Sequence, residues 1–104
     1  MRKIERQMNA AIAANKEWRC ANTKVVIPND DCISVYLHGN KIADLYEGKI
    51  TLYDGGYRSA TTKSRLNAIL RENGLGNEVV FQKDFQWFIS YDNKTEEFRS
   101  GMTI

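Results

Sequence analysis

The stretch GGYRSATTKSR, from Gly55 to Arg65, concentrates the groups in this sequence that could grip an anion. Two glycines are followed by Arg58, Ser59, Thr61, Thr62, Lys63 and Arg65, and then by LNAILREN, whose Leu66, Ile69 and Leu70 fall on one helical stripe. Free N–H groups at a helix start, the positive end of the helix dipole, hydroxyls and cations would together hold a phosphate or sulfate. The same residues also make an ordinary capped helix start, with Thr61 or Thr62 as N-cap and the glycines turning the chain from strand to helix. A nucleotide-binding P-loop is excluded, because Thr62 precedes Lys63-Ser64 where that motif needs glycine and Arg58 stands at the place of its first glycine. Side-chain direction separates the two readings. A phosphate site requires Arg58 to converge with Lys63 or Arg65 on the helix start, whereas an ion pair between Arg58 and Asp54 leaves only the cap.

Lys63, Asn67 and Arg71 follow at four-residue spacing, opposite the apolar stripe, and so share an exposed face that is either solvated or laid along a nucleic-acid backbone. His38 is the only histidine and sits in a turn; with Cys20 and Cys32 it makes a poor trio for a metal, and Cys32 with His38 lacks a third residue to orient a nucleophile. The expectation is a protein without catalytic residues, metal or cofactor. Tyr53, Tyr57, Phe85, Trp87, Phe88 and Tyr91 stand among Gln82, Lys83 and Gln86. Exposed on a sheet they would stack bases, and buried they are core.

These residues need a scaffold, and 104 residues supply one domain with one core. Hydrophobic content of 42% and a single proline argue against disorder. The net charge of +2 excludes a mimic of the DNA backbone, which must be strongly acidic. Its distribution is uneven: Arg2, Lys3, Arg6, Lys16 and Arg19 outweigh Glu5 and Glu17 near the start, and Gly56 to Arg71 holds Arg58, Lys63, Arg65 and Arg71 without an acid. Two cysteines, no secretory leader and no apolar run of about 18 residues point to reduced thiols in a cytoplasm and no membrane span.

Ile4, Met8, Ala11 and Ile12 give an amphipathic N-terminal helix ending near Asn15 to Glu17, with Trp18 anchoring its end. TKVVI, CISVYL, KIADLY and KITLY then form a four-strand antiparallel meander, joined at Pro28 to Asp31, His38 to Asn40 and Glu47-Gly48. KIADLY alternates poorly, so the face that carries Ile42 is not fixed by pattern. A central helix follows, with Gly74 as a left-handed C-cap. EVVFQK and FQWFISY make a C-terminal β-hairpin whose second strand, apolar on both faces, is central in its sheet, and FRSGMTI reads as a short last strand after a turn at Asp92 to Lys94. The fold class is α+β.

Three stretches in this order, MRKIERQMNAAI, VYLHGNKIADLYEGKITLYDGGYRSATTKSRLNAIL, and VFQKDFQWFI with FRSGMTI, resemble a family of small tailed-bacteriophage proteins. Its members carry an LHGN turn with IA two residues on, a GGW element running into TTK and RLNA, an FQ strand reaching Trp, and a GM ending; Tyr57 stands here in place of the tryptophan. The resemblance implies a phage product in the host cytoplasm and carries no catalytic residues. Two functions are therefore expected. One is a non-enzymatic module that binds nucleic acid or another phosphate-bearing ligand through Arg58, Ser59, Thr61, Thr62, Lys63, Arg65 and Arg71. The other is an interaction protein that binds and inhibits or redirects a host protein.

Overall fold

A computed structural model describes residues 1–104. Helix α1 (Lys3–Ala14) leads into β1 (Trp18–Cys20), β2 (Thr23–Asn29), β3 (Cys32–Leu37), β4 (Asn40–Tyr46) and β5 (Lys49–Leu52). Helix α2 (Ala60–Asn73) is followed by β6 (Val79–Lys83), β7 (Gln86–Tyr91), β8 (Lys94–Glu97) and β9 (Met102–Thr103). The architecture is α+β with antiparallel sheets, as the patterning implies. The meander is longer than expected: the sheet has six strands in the order β1-β2-β3-β4-β5-β9. Trp18 does anchor the end of α1, but it does so as the first residue of an edge strand, with Trp18 opposite Val25. The C-terminal hairpin likewise gains β8 and becomes a three-stranded sheet, β6-β7-β8, with β7 in the middle. Of FRSGMTI only Met102–Thr103 is strand, paired with β5, and Ile104 exchanges backbone bonds with Ile50.

Tight turns set the register. His38-Gly39, Glu47-Gly48, Asp84-Phe85 and Asp92-Asn93 all have positive φ at both positions, the geometry that matches the twist of a hairpin. In β4 the pairing slips between Val35 and Tyr36, so that Val35 faces Ala43 while Tyr36 faces Lys41. The extra residue is Ile42. This β-bulge turns both Ile42 and Ala43 into the core and returns Lys41 to the opposite face, which is why KIADLY does not alternate.

One continuous core of 19 side chains joins both helices and both sheets, with Met8 and Ile12 from α1, Val25, Val35, Leu37 and Leu52 from the large sheet, Leu66, Ile69 and Leu70 from α2, and Trp87 and Ile89 from β7. Helix α2 touches α1, β4 of the large sheet and β6 of the small one. Asn67 completes the last contact by pairing with both backbone groups of Val80, at 2.9 and 2.7 Å. Gly74 does end α2, but its backbone is extended (φ −91°, ψ −157°) and not left-handed. Closeness explains the glycine here. A Cβ would lie 2.7 Å from Glu78 Oε1 and 2.8 Å from the Leu70 carbonyl, and Glu78 occupies that space to accept from the N–H groups of Leu75 and Gly76.

Candidate functional site

At the start of α2 the backbone behaves as the sequence requires. Gly55 and Gly56 both have positive φ, 69° and 81°, and Asp54 accepts from the Gly56 N–H at 2.8 Å. The N-cap is Ser59, two residues before Thr61 and three before Thr62, the two expected caps. Ser59, with extended backbone, accepts from the Thr62 N–H at 3.1 Å, whereas the Thr62 hydroxyl donates back to the Tyr57 carbonyl. Ala60 already opens the helix, so Thr61 and Thr62 lie inside the first turn, past the point where an N-cap can act.

The cations of this corner do not converge. Arg58 donates to Asp54 at 3.2 Å and to the Phe98 carbonyl at 3.2 Å, and its guanidinium lies over the rings of Trp87 and Phe98. Arg65 is buried: it pairs with Glu5 at 2.8 Å and also donates to Thr23 and Asn22. Lys63 reaches Gln82, and Arg71 stays exposed beside a hollow lined by Glu5, Ser64 and Asn67. The hollow at the helix start is lined by His38, Asp54, Tyr57, Ser59, Thr61 and Thr62 among others, with no lysine or arginine. Partial burial would raise the Asp54 carboxyl, but the Gly56 N–H and Arg58 outweigh it and hold the group below its usual range, so its charge cancels that of Arg58 and leaves no net positive charge at this helix start.

Positive charge instead collects on the face of the six-stranded sheet that is turned away from the helices. Cross-strand pairing sets Arg19 opposite Lys24, Lys24 opposite Tyr36, and Tyr36 opposite Lys41. The Lys24 ammonium lies 5.1 Å from the centre of the Tyr36 ring, and that of Lys41 lies 5.8 Å from the centre of the Tyr53 ring. The result is a row, Arg19–Lys24–Tyr36–Lys41–Tyr53, that crosses four strands and continues to the residue after β5. At its first end Arg19, Lys24 and His38 line a hollow of about 390 Å³ that contains no acid. Ala21 and His38 border it with positive φ, and the His38 N–H donates to the Asn22 carbonyl at 2.7 Å, tying the two turns together.

Two acids flank the row: Glu17, which accepts from the Ile27 N–H at 2.9 Å and lines a hollow with Arg19 and Lys24, and Asp44. Asp44 accepts from the Ser34 hydroxyl at 2.5 Å, the Tyr53 hydroxyl at 3.1 Å and Lys41 at 3.3 Å, so its charge is spread over three donors. The bond to Asp44 raises the pKa of Lys41 above that of a free lysine. Partial burial and the Asp44 charge raise that of Tyr53. Both groups therefore keep their protons throughout the neutral range. Sequence reasoning grouped the aromatics differently. Trp87 is core, Tyr91 donates to Glu96, and Phe88 stacks on Phe81 on the outer side of the small sheet. Only Tyr53 of that group belongs to the row. Cys20 and Cys32 are unbridged. No helix is long and apolar enough to cross a membrane.

The whole chain, residues 1–104, matches the family model described as Kyanoviridae Gp96 protein. No curated protein and no solved structure matches it.

Proposed function

The chain belongs to the Kyanoviridae Gp96 protein family of phage proteins, and on that premise we propose that it is a non-enzymatic binding module whose ligand is nucleic acid, held on the open face of the six-stranded sheet. One observation carries the reading: Arg19, Lys24 and Lys41 share that face with two tyrosines, and the two acids beside them are already engaged, Glu17 by the Ile27 N–H and Asp44 by Lys41. Like charges directly opposite each other on neighbouring strands, as at Arg19 and Lys24, cost stability. A face built this way is suited to a polyanion. It replaces the corner at α2, whose Arg58 and Arg65 are bound within the molecule.

Anisotropy titrations with labelled DNA and RNA at low salt test the proposal. Three phosphate contacts to a single strand give log K against log salt a slope of about −2, at about −0.7 per contact. Lys24→Glu with Lys41→Glu should abolish binding. Lys24→Glu alone should leave the fold at least as stable, because it places opposite charges at the Arg19 pair. Lys63→Ala with Arg71→Ala, on the helix side, should change little. Absence of binding to every form of DNA and RNA at low salt would remove the proposal.

A second reading, contact with a host protein, is favoured by the tip of the β6–β7 hairpin. Phe85 is 96% exposed and adopts φ +66°, a conformation that costs a bulky residue about 1–2 kcal/mol. Phe81, Phe88 and Val79 continue an apolar surface behind it. Phe85→Gly should raise stability by about 1 kcal/mol, since Asp-Gly suits such a turn, and should release a host protein retained in a nuclease-treated pull-down. If stability falls instead, or a host partner is retained equally well, Phe85 has no such role.

A further inference from the structure

We infer that the ligand of the open face is a single strand, with bases stacked on Tyr36 and Tyr53 and its backbone held by Arg19, Lys24 and Lys41; this rests on the nucleic-acid reading above. The arrangement of the row carries the inference. Neighbouring strands lie about 4.8 Å apart, so cation, ring and cation succeed one another at one-strand steps through Lys24, Tyr36 and Lys41. In the free protein the ammonium groups of Lys24 and Lys41 lie over the faces of Tyr36 and Tyr53. A single strand offers those ammonium groups phosphates and offers the ring faces bases, which exchanges one set of satisfied partners for another. A duplex keeps the faces of its bases inside its own stack, so the tyrosines would gain nothing from it.

The width of the basic region points the same way. The next row across the sheet carries no cation and two acids, Glu17 beside Val26 and Asp44 between Ser34 and Thr51, and ends at Thr103. From Tyr36 to Cys32 the strand runs about 13 Å at about 3.3 Å per residue, and beyond Cys32 the turns carry Asp30, Asp31 and Glu47, with Lys49 as the cation there. The second backbone of a duplex laid on the row would run toward these acids. One strand laid along the row meets Arg19, Lys24 and Lys41 and leaves the acids of the next row to its side, and the hollow formed by Arg19, Lys24 and His38 accepts a further phosphate at its end.

The test compares a labelled single strand of about 12 nucleotides, within the site sizes of small sheet domains, with a duplex of the same length, in DNA and in RNA. Wild type should bind the single strand more tightly than the duplex. Tyr36→Leu and Tyr53→Leu should each weaken single-strand binding by about 5- to 100-fold, the range of one lost base stack, while the salt slope and any duplex binding stay unchanged. Tyr36→Phe and Tyr53→Phe, which keep the ring, should retain the affinity. In wild type, ultraviolet cross-linking followed by peptide mapping should place the adducts at Tyr36 and Tyr53, a readout that survives a poorly folding leucine variant. Equal or tighter duplex binding, leucine variants with wild-type affinity, or cross-links elsewhere would overturn the single-strand inference and leave the nucleic-acid reading standing. Binding to neither form would overturn both.

Discussion

Glu5→Ala is expected to cost about 3–5 kcal/mol, because it leaves the Arg65 guanidinium buried without its counter-charge. Arg65 and Glu5 are 4% and 2% exposed and 2.8 Å apart. Glu5 also accepts from the Ser64 hydroxyl at 2.6 Å and from the Arg2 N–H at 3.2 Å, so one carboxylate caps α1, grips α2 and, through Arg65, reaches Thr23 and Asn22 at the β1–β2 turn. A domain of this size has about 5–15 kcal/mol in total, and the melting temperature should fall by at least about 12 °C. Replacing both partners, Glu5→Met with Arg65→Leu, should recover most of the loss, because it removes both charges together. Burial raises the Glu5 carboxyl, but the bonds from Ser64, Arg2 and Arg65 outweigh it and hold the group below its ordinary value of 4.5. Its contribution is therefore full above that value and is lost as pH falls through the lower folded value. Asp54 and Glu78 are shifted the same way, so the check is a comparison: thermal melts from neutral to acid pH should show a flatter decline in Glu5→Gln than in wild type. Equal slopes would mean that the pair does not hold the fold together.

Local pattern and long-range pairing divide what the sequence reveals. The stripe of Leu66, Ile69 and Leu70, the glycines at Gly55 and Gly56, and the turns at His38-Gly39 and Glu47-Gly48 are local, and each folds as its residue types require. Two of the edge strands were not legible: Trp18–Cys20 is too short to show alternation, and β8, KTEE, has the composition of a solvated turn. The last strand was legible in FRSGMTI, but not its two-residue extent or its pairing with β5. Asn67 was read as part of an exposed helix face, but that face receives β6, and its amide satisfies the strand edge at Val80. The charge-rich helix start misled for a related reason. Arg65 lies 60 residues from Glu5, and nothing local indicates that it turns inward. The basic row was half visible. Ile33, Val35 and Leu37 alternate with Ser34 and Tyr36, which already places Tyr36 away from the core; only the register among β1, β2, β3 and β4, together with the bulge at Ile42, brings Arg19, Lys24 and Lys41 into line with it.

Asp44→Ala should move stability and binding in opposite directions. The carboxylate accepts from Ser34, which is 1% exposed, and removing it leaves that hydroxyl buried without its acceptor while freeing Tyr53 and Lys41. An unsatisfied buried group of this kind costs about 1–3 kcal/mol. The same change deletes the negative charge that pairs with Lys41 in the row. Lys41, no longer paired at 3.3 Å, becomes free to meet a phosphate. At about 4 Å a unit charge is worth on the order of 1 kcal/mol in water and more near a protein surface, so affinity for a single strand should rise by about five- to tenfold at low salt, and the gain should shrink as salt increases. Asp44→Asn, which keeps an acceptor for Ser34, should retain more of the stability and most of the gain in affinity. The pair of measurements, a thermal melt and an anisotropy titration on the same preparations, distinguishes a binding face from a merely structural cluster. If Asp44 serves only to hold β3 and β4 together, losing it weakens the fold and any ligand affinity alike. If the row meets phosphates, the less stable protein binds more tightly.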